Sequence, residues 1–323
     1  MANSSGSSTS SSTSGVLAVA GAGGEDEVRA RLTRLVTDSV ASPHSKRAYA
    51  KAVGEFFDWV RGKGSFSKAL VTGYKSRLEE LGLAPATINL RLAAVRKLAE
   101  EAFDNGLLAG DAAAAIGRVK GAKRLGVRAG NWLDIRQTEK LLALPDTGTL
   151  KGKRDRALLA LLVGCGLRRS EVVGLTVSDV QQREGRWAVV DLTGKHGRIR
   201  TVPMPAWAKT AMDEWTAAAG IAGDGGGPLF RAVSKGGAIA AGPMTAQALY
   251  DVVAVYAARL GVPLGPHDLR RTFGKLAHKG GSPLEQIQLS YGHASLTTTE
   301  RYLGVKLDFA DAPCDRLGLK VRG

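Results

Sequence analysis

The 323-residue chain is 44% hydrophobic and carries a formal net charge of +15, with a pI of about 10.0. That length suits two domains, each able to bury its own core, and the charge favours a polyanionic partner, with DNA or RNA first. An anionic membrane would require a basic amphipathic helix or an apolar span of about 20 residues; the sequence holds neither. Two cysteines, Cys165 and Cys314, are too few for a disulfide framework or a zinc site, and they suit a reducing cytoplasm.

The first 24 residues, Met1 to Gly24, are rich in Ser, Gly and Ala and are read as a disordered leader. From Glu25 to Gly117 the pattern is helical. Ser45–Arg61 sets Tyr49, Val53, Phe56, Phe57 and Val60 on one stripe, after the start signals Ser42, Pro43 and Ser45. Pro85–Phe103 does the same with Ile88, Leu92, Val95, Ala99 and Phe103. Its opposite face carries Arg91, Arg96 and Lys97, which serve either as a solvated face or as a DNA-facing one.

Residues 118–131 read RVKGAKRLGVRAGN. Arg118, Lys120, Lys123, Arg124 and Arg128 stand there among glycines without an acid. Such a segment is expected to be a flexible interdomain linker that follows a phosphate backbone. The second domain, 132–323, opens near Trp132. Helical patterns follow at Arg136–Leu144 and Arg154–Gly164. Two short strands, Arg186–Leu192 and Arg198–Met204, flank the turn Thr193-Gly194-Lys195-His196-Gly197. Further helices are expected at Pro205–Ala219, Thr245–Leu260 and Asp268–Lys279. The expected fold is mainly α, with a small antiparallel β-sheet in the C-terminal domain.

Four local patterns carry chemistry: Gly166-Leu167-Arg168-Arg169-Ser170-Glu171, the hairpin lysine Lys195, His267-Asp268-Leu269-Arg270, and the run from Gly292-His293 to Arg301-Tyr302-Leu303. Each alone is ordinary: a helix start, a hairpin turn, a surface ion pair, an amphipathic tyrosine. Together they supply what phosphodiester transfer without a metal requires. Guanidinium forks bond two non-bridging oxygens and stay charged as the transition state gains negative charge. A tyrosine hydroxyl can attack, and a lysine or histidine can protonate the departing sugar oxygen. These residues are spread over about 135 positions, and spacing does not show that they converge.

In order and spacing the four patterns resemble those of the tyrosine recombinases, the family of phage integrases and Xer-type resolvases. GLRRSEVVGL (166–175) resembles the first arginine box and TGKHGRIRTVPM (193–204) the lysine hairpin. HDLR (267–270) resembles the His-x-x-Arg box, and GHASLTTTERYL (292–303) the closing box, with nine positions from His293 to Tyr302. The resemblance covers about residues 25–305. It implies a two-domain clamp, with 25–117 as the core-binding domain and 132–323 as the catalytic domain. It implies that Tyr302 attacks the scissile phosphate to form a 3′-phosphotyrosyl link, that Arg168 and Arg270 clamp the phosphate, and that Lys195 protonates the leaving 5′-oxygen. His267 would help move the tyrosine proton, His293 would bond a phosphate oxygen, and Glu171 would orient its neighbours. A tetramer on two double-stranded DNA sites is implied, with no ATP, metal or other cofactor; a partner recombinase or accessory protein is left open.

Two readings compete with recombination: a type IB topoisomerase-like nicking and rejoining enzyme, and a non-catalytic DNA-binding protein of the same fold. The chain also departs from the family. Leu289-Ser290-Tyr291 stands before Gly292, where two apolar residues are usual, so Tyr291 becomes a rival nucleophile. His196 follows Lys195 where glycine is common. Arg169 is expected to be an exposed neighbour. Leu307, Phe309 and Leu317 in the 21-residue tail after Tyr302 could dock on an adjacent subunit. With a disordered leader ahead of the core-binding helices, a separate arm-site domain is not expected.

Overall fold

The computed structural model describes residues 22–123, 130–194 and 197–304. The chain divides into two compact units, Met1–Val127 and Arg128–Gly323.

The first unit is helical: α1 (Ala22–Asp38), α2 (Pro43–Val60), α3 (Lys68–Glu80), α4 (Pro85–Asp104) and α5 (Gly110–Gly117). Helix α1 begins inside the stretch expected to be leader; Asp26 and Glu27 in its opening turns favour a helix N-terminus. Pro43 and Pro85 sit in the first turns of α2 and α4, where their missing N–H is no loss. Ser67 caps α3 by accepting from the Leu70 N–H at 3.4 Å. Val53, Phe56, Phe57 and Val60 from α2 meet Ile88, Leu92, Val95 and Ala99 from α4 in one core. Phe103 breaks the expected stripe: it is 48% exposed, and its ring covers Gly110, where a Cβ would stand 2.9 Å away.

The expected flexible linker is fastened at its start. Val119 is buried, Arg96 donates to the Val119 carbonyl, and Asn89 exchanges two hydrogen bonds with the Ala122 backbone, at 2.8 and 3.1 Å. An apolar side chain and paired backbone groups outweigh the local glycines there.

The second unit contains α6 (Ile135–Ala143), α7 (Leu150–Gly164), α8 (Arg169–Gly174), β1 (Val180–Arg183), β2 (Arg186–Thr193), β3 (Ile199–Pro203), α9 (Ala206–Ala218), β4 (Arg231–Val233), β5 (Ile239–Pro243), α10 (Ala246–Leu260), α11 (Pro266–Lys279), α12 (Leu284–Tyr291) and α13 (Leu296–Leu303). Helix α7 is charged in its first half, but from Ala157 to Val163 it is apolar all round and buried, so this half forms the centre of the unit. The expected strand pair gains β1 at its edge, giving the antiparallel order β1-β2-β3, and β4 and β5 make a second, two-stranded sheet. Val189, Leu192 and Val202 turn the first sheet onto the core around α7, and the Trp215 indole N–H donates to the Leu229 carbonyl at 2.8 Å.

Candidate active site

Helix α7 ends at Gly164 with Cys165 as its cap residue, and the chain turns at Gly166 to launch Arg168. Gly166 holds φ at 59°, and a Cβ there would stand 2.5 Å from the Phe273 ring. Glycine is therefore required both by conformation and by close approach. Arg168 is the cap residue of α8. Its backbone N–H donates to Glu171 Oε2 at 2.8 Å and its Nη1 donates to Glu171 Oε1 at 2.7 Å. Its Nη2 reaches the Tyr291 carbonyl at 3.2 Å.

Arg270, one turn into α11, is 1% exposed. It donates to the Gly166 carbonyl at 2.5 Å and to the Tyr291 carbonyl at 2.7 Å. The two forks expected to clamp a phosphate thus converge on one oxygen at the C-terminus of α12. Burial, and then repulsion from Arg168, pulls the Arg270 guanidinium down to about 10, and it remains charged at neutral pH.

Tyr302 lies on α13, half-buried, with its hydroxyl donating to the His267 carbonyl at 3.3 Å. Its ring stands edge-on to three others, with centroids 5.3 Å from His267, 5.6 Å from His293 and 5.3 Å from Tyr291. Burial raises the phenol pKa, while Arg270 and Arg271 oppose the rise. Both imidazoles are pushed toward the neutral form. His267 is lowered by burial and then by Arg271 and Arg270; His293 falls to about 4 through burial and then Arg270 and Arg168. His293 Nδ1 lies 3.0 Å from the Thr299 hydroxyl. That contact orients the ring and leaves Nε2 unengaged by it.

The Glu171 side chain is 7% exposed, and no local pattern marks its second partner, Arg200 on β3. Arg200 Nη1 and Nη2 bond Glu171 Oε1 and Oε2 at 3.0 and 2.8 Å, and its Nε donates to the Ser290 carbonyl at 2.9 Å. Burial by itself would raise the Glu171 pKa; the bonds from Arg200 and Arg168 overcome it and hold the carboxyl below its usual range. Thr299 and Arg271 also escaped the sequence reading. Arg271 pairs with Asp268 at 3.3 Å, and its guanidinium carbon lies 5.1 Å from the Tyr302 ring centroid.

Lys195 and His196 lie outside the described residues. The root of their hairpin is at the site: a Cβ on Gly194 would stand 3.9 Å from Arg168 Nη1. Arg124, Arg128, Leu307, Phe309 and Leu317 are likewise outside. Tyr291 is buried, its hydroxyl donating to the Arg270 carbonyl at 2.7 Å, and burial raises its pKa far above the ordinary value. Arg169 is exposed.

The α4 cations are not a free basic face. Arg91 is 18% exposed and pairs with Glu55 at 2.6 Å, and Arg96 is engaged at Val119. Lys97 lies between Glu100 and Glu101 at 3.0 and 3.2 Å. Their own unit supplies acids and a carbonyl within reach, so the charges are compensated internally. Lys120 and Lys123 are exposed.

Paired guanidiniums that can receive a phosphate, next to a phenol flanked by two neutral imidazoles, are the equipment of a phosphoryl transferase that works through tyrosine. Residues 131–307, more than half of the chain, match the phage integrase family. A tyrosine recombinase XerC of Pelobacter propionicus is 31% identical over 305 residues, covering 92% of this chain and 96% of the relative. A tyrosine recombinase XerD of Corynebacterium glutamicum is 29% identical, covering 86% and 92%. The chain belongs to the phage integrase family, the tyrosine recombinases, enzymes of site-specific DNA recombination. Solved structures share the fold. A XerH recombinase in a pre-cleavage complex with its difH substrate has a TM-score of 0.64 at 18% identity, covering 88% of this chain and 84% of that one. A lambda integrase dimer bound to a COC′ core site has a TM-score of 0.66 at 16% identity, covering 92% and 79%.

Proposed function

We propose that Tyr302 attacks a scissile DNA phosphate, forming a 3′-phosphotyrosyl link and releasing a 5′-hydroxyl, and that a partner strand's 5′-hydroxyl reverses the step. The observation that carries this reading is the meeting of Tyr302, His267 and His293 ring to ring, with centroids 5.3 and 5.6 Å from Tyr302, beside the oxygen where Arg168 and Arg270 converge. On substrate binding the two forks exchange the Tyr291 carbonyl for non-bridging phosphate oxygens. His267 takes up the phenol proton as the P–Oη bond forms. Lys195 protonates the 5′-oxygen as its bond to phosphorus breaks. His293, its ring set by Thr299, turns Nε2 to a phosphate oxygen. One phosphoester replaces another, so the reaction needs no ATP, and the positive side chains supply the charge that a metal would.

Residues 25–117 form the core-binding domain in this reading, 118–131 the basic connection and 132–323 the catalytic domain. The exposed Lys120 and Lys123 are backbone contacts on double-stranded DNA together with Arg124 and Arg128; Arg91, Arg96 and Lys97 contribute by exchanging their present partners. The working form is a tetramer on two sites in the cytoplasm, at the nucleoid, with or without an accessory protein. The structural neighbours, a XerH recombinase bound to its difH substrate and a lambda integrase dimer bound to a core site, support the DNA partner. No described helix is long and apolar enough to cross a membrane.

The test is to incubate the chain with genomic DNA fragments, denature, capture the protein-linked DNA and sequence it. The expected product is one recurrent sequence joined through its 3′-phosphate to the peptide containing Tyr302. Absence of an adduct, or an adduct at Tyr291, overturns the assignment.

A further inference from the structure

Arg200 lies in the lysine-hairpin stretch 193–204 but was given no role there, yet it makes more bonds at the site than any imidazole. Glu171 is a buried carboxylate 2.7 Å from Arg168 Nη1. Left alone, such a pair closes into a bidentate fork that neutralises the arginine. Here the oxygens are already shared: Arg200 Nη1 and Nη2 occupy Oε1 and Oε2 at 3.0 and 2.8 Å, and the Arg168 backbone N–H takes the remaining site on Oε2 at 2.8 Å. Arg168 is thereby held to a single side-chain bond on Glu171, and its Nη2 points instead to the Tyr291 carbonyl at 3.2 Å, a long contact that a phosphate oxygen can displace. Charge follows the same pattern. The three guanidiniums of Arg168, Arg200 and Arg270 face one carboxylate, and the surplus positive charge is what a phosphate gaining negative charge needs. The third bond, from Arg200 Nε to the Ser290 carbonyl at 2.9 Å, ties β3 to the end of α12, next to the oxygen on which both forks rest.

We propose that Arg200 is a positioning residue for strand transfer: by occupying both Glu171 oxygens and the Ser290 carbonyl, it keeps the Arg168 guanidinium available to the scissile phosphate. Its Nε, Nη1 and Nη2 are all engaged by the Ser290 carbonyl and Glu171, so it acts through Arg168 and not on the substrate. The inference rests on the strand-transfer reading of the site.

The test uses the full chain and the duplex recovered from the adduct capture. The duplex is synthesised with either a natural phosphodiester or an uncharged methylphosphonate at the scissile position. Arg200→Ala is expected to slow covalent adduct formation on the phosphodiester about 100-fold or more, the scale of losing one electrostatic donor, with DNA binding changed less than about threefold. On the methylphosphonate, where less charge must be stabilised, the deficit is expected to shrink to under about tenfold. Arg200→Lys keeps the charge but cannot reproduce the fork, and is expected to fall between wild type and Arg200→Ala. Equal deficits on both substrates mean a merely structural role and overturn the proposal, as does an unimpaired Arg200→Ala. If Arg200→Ala fails to fold, the ratio measured with Arg200→Lys decides in the same way. Failure of the wild-type chain to form an adduct on either duplex rejects the strand-transfer reading instead.

Discussion

The Tyr291 hydroxyl donates a 2.7 Å hydrogen bond to the backbone carbonyl of Arg270, while the Arg270 guanidinium carbon lies 4.3 Å from the centroid of the same tyrosine's ring. The Tyr291 carbonyl in turn accepts from Arg270 Nη2. One residue therefore touches the arginine at its backbone, its face and its tip. The sequence raised Tyr291 as a rival to Tyr302; its position makes it the seat of Arg270.

Tyr291→Phe keeps the ring and the carbonyl and removes only the hydroxyl bond. A buried neutral hydrogen bond contributes about 1 kcal/mol, so a stability loss of that size is expected in urea unfolding. Adduct formation should slow about tenfold, with DNA binding retained. Unchanged stability and cleavage together would remove Tyr291 from the support of Arg270.

Tyr302→Phe should behave in the opposite way. The hydroxyl makes a single 3.3 Å bond at the surface, so its removal is expected to change stability by less than about 0.5 kcal/mol. Covalent adducts should vanish while gel-shift affinity stays at the wild-type level.

A Cβ on Gly274 would stand 2.0 Å from Tyr291 Oη and 2.8 Å from Leu303 Cδ2. Gly274→Ala is therefore expected to destabilise the chain by about 1 to 3 kcal/mol through overpacking. Adding Tyr291→Phe removes the closest contact and leaves those to the ring Cζ and to Leu303 Cδ2, each at 2.8 Å. Thermal melts of the two single variants and the double variant should show partial recovery, a coupling that independent sites would not give.

His293 is held to about 4, below its ordinary 6.5, by burial and then Arg270 and Arg168. Between those pH values the unfolded chain binds a proton that the folded chain refuses. Stability is therefore complete above about pH 6.5 and declines as the pH falls toward 4. After solvent screening the His293 share is on the order of 1 kcal/mol. His293→Gln should flatten the decline across that window in urea melts; an unchanged slope would show that His293 does not titrate as described.

Arg154 and Asp155 form a buried pair at 2.7 Å, and the Tyr256 hydroxyl donates to the other Asp155 oxygen at 3.1 Å. Asp155→Ala strands a buried guanidinium and is expected to cost about 3 to 5 kcal/mol in chemical unfolding. A loss under about 1 kcal/mol would mean that water or another acid reaches Arg154.

Much of this protein was legible in the residues because the signals were local. The apolar stripes of α2 and α4 follow helical spacing, the β2–β3 hairpin follows its Gly-Lys turn, and the four boxes name the arginines, the histidines and Tyr302 by pattern. The strands β1, β4 and β5 were not legible: Val180–Arg183 is largely polar, and Arg231–Val233 and Ile239–Pro243 are short, so no alternation develops. Direction was the larger gap. Nothing local distinguishes the exposed Arg198 from Arg200, whose guanidinium lies against Glu171, or marks that Arg91 and Lys97 meet acids of their own unit. Those outcomes depend on strand register and on which helix ends arrive nearby. Composition and motif determined which chemical groups the chain would hold; only the tertiary structure decided which of those charges are compensated and which are not, because burial and partner distance, not sequence spacing, set the energy of a charge.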